Sequence, residues 1–426
     1  MHVPRNNIFF IVILILTICI ICNERKISAE VLNVKTIPGS FDTILAKAKP
    51  GDTLKLESGF HQGPILIDKS VTIIGEPNAI IDGQKKENTI TITAPDVVLR
   101  GLKIINSGQN LSKQHSGIFV DKNAHRVVIE NNFLENNLIS IYLWGPKDGL
   151  VRNNRVYGLS NLRLNERGNG IQLWRSHGSI VEKNEIRYGR DGIYVTTSKN
   201  NIFRNNTFEK TRFAIHYMYT NDSKIIGNIS RGNHIGYALM YSSGLTVLDN
   251  KSINDRDHGI ALNYNNESVL EHNLIYNNAN KCIFIYNSNK NTFRYNHFEG
   301  CAIGVHFTAG SERNNIYENN FIDNINQVKY VGTRHLNWSK NNKGNYWSDN
   351  PAFDLDRNGI SDTAYRPNDM IDHVMWKYPS SKLLLNAPAV QMIRWAQSVL
   401  PAIYPGGVYD SAPLMIPVVL NEKKQK

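Results

Sequence analysis

Cysteine is scarce in this 426-residue chain: there are four, and two of them, Cys19 and Cys22, lie in an apolar run near the N-terminus. That leaves Cys282 and Cys301, in adjacent repeats, as a structural disulfide or a pair of buried thiols; a thiolate metal site fits less well. Long apolar runs are missing after residue 22, which excludes a later membrane-spanning helix. Clustered Lys/Arg tracts are missing too, so the modest basic excess does not argue for nucleic acid. An anionic membrane surface, an acidic partner or a polyanionic sugar remain as counterparts.

What is present begins with an export signal. Arg5 precedes the apolar run 8–22, and Ile27-Ser28-Ala29 offers a small-residue cleavage site before Glu30. Neither Cys19 nor Cys22 follows a small residue, so a lipid anchor is not expected. Residues 1–29 are expected to be removed, leaving 45 basic against 36 acidic residues in an exported chain.

Asparagine then closes a short apolar run at Asn132, Asn154, Asn184, Asn206, Asn228, Asn250, Asn273, Asn296 and Asn319, with spacings of 22 or 23 residues except one of 30. A fixed period of this size marks a solenoid, in which one repeat cannot bury its apolar face alone. Within each repeat the apolar residues alternate with period two rather than 3.6, which indicates strands. Three short strands and three turns per repeat, stacked in parallel at about 4.8 Å per rung, give an all-β chain folded as a right-handed parallel β-helix. Asparagine suits the corner because it tolerates the left-handed conformation and its amide bonds the same amide on the next rung. The β-helix is expected over 30–343. A short amphipathic helix over 37–49 would cap its open end, and 344–426 forms an extension whose segment 388–400 reads as a helix, either a cap or a docking element.

Aligning one strand across the repeats puts apolar residues in the first and third positions, facing the core. The outward second column then reads Tyr142, Gln172, Tyr194, His216, Ala238, Ala261, Phe284 and Gly304; the fourth reads Trp144, Trp174, Thr196, Met218, Met240, Asn263, Tyr286 and His306. A solvated sheet face should be polar, whereas this one is aromatic and rich in thioethers, as a binding face is unless a loop or the C-terminal segment folds over it. His216 and Met218 project from one rung and Met240 from the next. Two thioethers with an imidazole select Cu(I), although such a trio is more often plain hydrophobic packing. His306, His234 and His258 are weaker candidates, each also readable as an ordinary surface or turn histidine. Tyr142, Trp144, Trp174, Tyr194 and Tyr286 are candidates for docking a partner. The eight extra residues between Asn154 and Asn184, around 162–167, are expected to border that surface beside the Trp144 and Trp174 rungs.

In the C-terminal extension, Asp354, Asp356, Asn358, Ile360 and Asp362 space oxygen ligands around Gly359 as a calcium loop does. Tyr365 stands where the last acidic ligand belongs, so Asp349, Asp369, Asp372 or water would have to complete the shell; an aspartate-rich turn without an ion is the alternative. Asp255, Asp257 and His258 around Arg256 offer a sugar-cleaving acid/base cluster. Against it, no second acidic cluster lies one rung away, and alternating side-chain directions would scatter these groups.

Several runs, in order, resemble the NosD family of periplasmic maturation proteins for nitrous oxide reductase: 213–219 (FAIHYMY), 236–240 (GYALM), 282–287 (CIFIYN), 306–312 (HFTAGSE), 327–332 (QVKYVG), 344–349 (GNYWSD), 394–397 (RWAQ) and 405–411 (PGGVYDS). The resemblance covers nearly the whole exported chain. It implies a sugar-hydrolase type of β-helix put to a non-catalytic use, working with an inner-membrane ABC transporter, taking copper from a small lipoprotein chaperone and supporting assembly of the reductase's copper clusters. With it, transient Cu(I) contact is expected at His216, Met218 and Met240. A metal-free adaptor between transporter and reductase is the alternative, and a uronate lyase or epimerase a more distant one.

Overall fold

The computed structural model describes residues 29–384, 387–400 and 406–419; the expected signal peptide falls almost wholly outside them. Three parallel sheets wind into one β-helix. Sheet I has 13 strands from Val31–Val34 to Asn315–Ile316, sheet II has 12 from Ile65–Ile67 to Asn326–Val331, and sheet III has 13 from Gly59–Gln62 to Tyr346–Trp347. Each coil contributes one strand to each sheet, so inward residues such as Ile141, Leu173, Ile193, Phe208 and Val247 stack into one continuous core. Among the described residues, no helix is long and apolar enough to cross a membrane.

The corner between sheets I and III carries the asparagine ladder. Each Nδ2 donates to the Oδ1 of the next ladder asparagine, as from Asn184 to Asn206 and from Asn206 to Asn228, both at 3.0 Å. The ladder ends at Asn345, which accepts from Asn319. These asparagines do not themselves take the left-handed conformation; the residue before each does, for example Asn131 (φ 55°), Asn205 (φ 56°) and Gly227 (φ 63°). The division of labour is physical: one residue turns the chain, and the next aims its amide down the axis. Cys282 and Cys301 are joined by a disulfide inside the coil, which decides between the two states open from sequence.

The N-terminal cap is the helix α1 (Ser40–Lys47), which buries Phe41 and Leu45 against the first rungs. At the other end Val408–Tyr409 pairs with Leu336–Asn337. Asp410 locks that return: fully buried, it accepts from the Asn345 and Ala412 amides and from Trp347 Nε1. Two helices follow the calcium-like loop, α2 (Met370–Lys377) and α3 (Pro388–Val399). On α3, Met392, Ile393, Trp395 and Val399 are exposed, so this face of the helix does not cover the end of the solenoid. The C-terminal segment meets the last rung of sheet II, where Asn368 donates to the Val328 carbonyl and Lys329 lies over Trp376.

Candidate metal centre

The outer face of sheet II is built by cross-strand register. Tyr194, His216, Ala238, Ala261 and Phe284 follow one another in the second column, and Thr196, Met218, Met240, Asn263 and Tyr286 in the fourth. The register therefore sets Met240 beside Met218 on the next rung, with His216 two residues before Met218 on the same strand. It does not place His306 with them. His306 pairs with Phe284 and Val305 with Ile283, so His306 belongs to the second column, three rungs beyond Ala238, and Gly304 does not point outward. The alternating pattern of 303–307 fits equally well after a slip of two residues, because a shift by two leaves every side chain on its own face.

His216 sits in a built pocket. Its Nδ1 lies 2.9 Å from Asp191 Oδ2, and Arg212 grips the same carboxylate with Nη2 on Oδ2 at 2.7 Å and Nε on Oδ1 at 2.8 Å. Burial pushes the Asp191 carboxyl up, but hydrogen bonds from His216 and Arg212 outweigh it and hold the group below its ordinary value. The imidazole is flanked by the rings of Tyr194 at 5.1 Å and Phe213 at 5.0 Å, and Arg212 covers the Phe213 ring at 4.4 Å. Met240 packs over Ala238 together with Phe213 and Ile235. The small second-column residues Ala238 and Ala261 leave room for this packing.

Asp191 and Arg212 escaped the sequence reading for a local reason. Asp191 pairs with Phe213 and Ile193 with Ile215, yet Gly192 between them also faces inward, since a Cβ there would meet the Phe208 ring at 2.4 Å. Two consecutive inward residues break the alternation, as a bulge does, and add a further outward column ahead of the one recognised.

The docking candidates divide. Trp144 and Trp174 stack at 5.5 Å with Arg175 over Trp174, and Tyr286 is exposed, whereas Tyr142 is only 3% exposed, packed edge-on against Phe119. Tyr194 is spent on His216. A feature not expected is a run of exposed tyrosines in the adjoining turn, Tyr219, Tyr241 and Tyr264, stacked at 5.1 and 5.2 Å and continuing to Tyr286. All three take positive φ; their 22- and 23-residue spacing was the available signal. The inserted loop leads into the sheet II strand Ile171–Trp174, one rung on from Trp144. It enters at the start of the sheet II strand, where Arg190 donates to the Gly168 carbonyl and Asp191 N to Asn169, while Trp144 and Trp174 lie at the strand ends. It flanks Asp191 and Arg212.

Further along, His258 and His306 bracket the Phe284 ring at 5.5 and 5.1 Å, beside Lys281. His258 Nδ1 is 3.1 Å from Asp257 Oδ1 but outside hydrogen-bonding geometry, and His306 Nδ1 also lacks a partner. Burial first, then Lys281, pushes His258 down to about 4 against the opposing pull of Asp257; burial, Lys281 and Lys329 push His306 down to about 4. The unfolded chain takes up these protons near the ordinary 6.5, so stability is complete above that pH and is lost as pH falls toward 4. For His258, whose side chain is 10% exposed, the loss is at most about 3 kcal/mol. Denaturant unfolding at pH 7.5 and 4.5 is expected to show this drop, and a H258Q/H306Q variant to flatten it; parallel profiles would show that other groups govern the pH response. The proposed acid/base cluster is not assembled. Asp255 is fully buried, taking hydrogen bonds from Ser230, Ser252 and the Asn233 amide, with burial raising its carboxyl, while Asp257 stays outside.

In the C-terminal loop, Asp354, Asp356 and Asp362 bring carboxylate oxygens within 4.8 Å of one another. Asp354 accepts from the Asn358 and Gly359 amides. The acids offered to complete the shell are engaged elsewhere: Asp349 accepts from Tyr365 Oη and Gln327, and Asp369 and Asp372 form the capping box of α2.

Residues 152–352 match the family model described as "Periplasmic copper-binding protein (NosD)". A protein of Stutzerimonas stutzeri named "Probable ABC transporter binding protein NosD" is 37% identical over 405 residues, spanning 91% of this chain and 93% of that protein. Its counterpart in Pseudomonas aeruginosa is 38% identical over 393 residues, spanning 87% and 92%. Among solved structures, the catalytic domain of a family 87 α-1,3-glucanase superposes with a TM-score of 0.53 at 9% identity over 76% of this chain and 70% of that one. A family 28 exopolygalacturonase of Yersinia enterocolitica gives 0.51 at 11% over 72% and 79%; at such identities the likeness is one of fold alone. By its length-spanning likeness to the two bacterial proteins, this chain belongs to the NosD family of periplasmic copper-binding proteins.

Proposed function

We propose that this protein receives Cu(I) on the outer face of sheet II and passes it on for assembly of the copper clusters of nitrous oxide reductase. One observation carries the reading: His216, clamped by Asp191, shares a patch with Met218 and Met240. A fixed imidazole with two flexible thioethers suits a soft monovalent ion held briefly. Copper is the cargo, so no reaction is assigned to the chain. The donor is a periplasmic copper chaperone lipoprotein. The exposed tyrosine stack and the half-buried Trp144–Trp174 pair offer the docking surface beside the site, since aromatic side chains are the usual anchors of such interfaces. The exposed apolar face of α3 offers a contact for the membrane ABC transporter, through which the protein is held peripherally at the inner membrane.

Titrating the purified mature protein with Cu(I) against a competing chelator is expected to show about one equivalent bound tightly. Absence of any competition by the protein would sink the carrier reading and leave a metal-free adaptor in its place.

The loop at 354–362 is read as a structural Ca²⁺ site, with Asp354, Asp356, Asn358, the Ile360 carbonyl and Asp362 as ligands and water completing the shell. Millimolar Ca²⁺ is expected to raise Tm, and D354N to abolish the rise without changing Tm in chelator. An equal Ca²⁺ response in D354N would remove the loop as its source.

A further inference from the structure

We infer that Asp191, braced by Arg212, is a positioning residue that fixes which nitrogen of His216 faces the metal. The inference rests on the copper reading and adds to it a residue pair outside the patch itself. Asp191 is 1% exposed and its Oδ2 lies 2.9 Å from His216 Nδ1. A carboxylate oxygen at that distance accepts, so Nδ1 carries the proton. The lone pair is then on Nε2, which has no hydrogen bond among the described residues. A metal-binding imidazole is ordinarily fixed in this way, by a carboxylate on the nitrogen away from the metal.

Arg212 makes the clamp rigid. Its two hydrogen bonds occupy both oxygens of Asp191, so the carboxylate cannot rotate without losing one. The Tyr194 ring, tilted at 48°, and the Phe213 ring, edge-on at 86°, pack against the imidazole. Met218 and Met240, by contrast, each have three free side-chain torsions. The site thus has one immobile ligand and two mobile ones. Cu(I) is expected to remain on His216 while the thioethers exchange with donor groups of a partner, which gives release without rearrangement of the solenoid.

The test pairs ¹⁵N-histidine NMR of the metal-free protein with Cu(I) competition titrations. In the wild type, His216 is expected as the Nδ1–H tautomer. D191L keeps the branched shape and heavy-atom count of the side chain but removes the acceptor; it is expected to shift His216 toward Nε2–H and to weaken Cu(I) roughly 10- to 100-fold, the ordinary effect of losing an outer partner of a metal histidine. D191N keeps an acceptor for Nδ1 and Arg212 Nη2 when its amide oxygen takes the Oδ2 position, but its NH2 then faces the Arg212 Nε donor; it is expected to keep the Nδ1–H tautomer with an affinity between those of wild type and D191L. An Nε2–H tautomer in the wild type overturns the inference, as does a D191L protein with unchanged tautomer and affinity. If the wild type binds no Cu(I), the copper reading fails, yet the tautomer still decides what Asp191 does. The wild-type spectrum gives this answer even if D191L does not fold.

Discussion

A protein carrying M218L and M240L is expected to lose competition for Cu(I) while keeping its fold. Leucine is the informative replacement. Met240 packs over Ala238 against Phe213 and Ile235, so alanine would leave a cavity and confound loss of a ligand with loss of packing, whereas Met-to-Leu exchange conserves volume. Loss of even an outer-shell partner weakens a metal site 10- to 100-fold, so removing two donor sulfurs is expected to exceed roughly 100-fold. Tm within about 2 °C of wild type would show that the loss is chemical. Separate M218L and M240L proteins divide the effect: Met218 reaches the site from the rung of His216 and Met240 from the next, so a metal bridging the rungs needs both. Unchanged affinity in the double variant would place copper elsewhere and make the thioethers packing residues.

The solenoid was legible because its signal repeats: each rung restates the same asparagine and the same inward positions, and a fluctuation in one rung is outvoted by its neighbours. The pairing of Met218 with Met240 was legible for the same reason, since they occupy equivalent places in successive repeats. Legibility failed where a feature occurs once. Strand 303–308 was misregistered because period-two alternation is blind to a shift by two, and only the hydrogen bonds, such as those pairing His306 with Phe284, specify the register. Asp191 and Arg212 were invisible because two consecutive residues, Gly192 and Ile193, face inward and interrupt the alternation just where their column begins. The burial of Asp255 follows from its replacing an asparagine in a second internal ladder, between Asn233 and Asn278. A carboxylate there reads as a surface charge in the sequence and is a ladder member in the fold.

The largest stability effect is expected at Asn206. Its Nδ2 donates to the Val181 carbonyl at 2.9 Å and to Asn228 Oδ1, while its Oδ1 accepts from both the backbone and side-chain amides of Asn184. N206L strands those partners in a fully buried place. Each buried group left unpaired costs about 1–3 kcal/mol, so the total is on the order of 4 kcal/mol or more. The adjacent Asn205 is the control. It takes φ 56° at the corner, partnering the ladder without belonging to it, and N205G relieves a left-handed backbone at the expense of unfolded-chain entropy, for a change within about 1 kcal/mol. Because each rung contacts only its neighbours, N206L is also expected to split unfolding into two steps, with the coils on either side melting separately. Denaturant unfolding followed by tryptophan fluorescence reads both halves, since Trp144 and Trp174 lie before the break and Trp338 and Trp347 after it. A single transition displaced by less than about 1 kcal/mol would mean that the ladder records the repeat without holding it together.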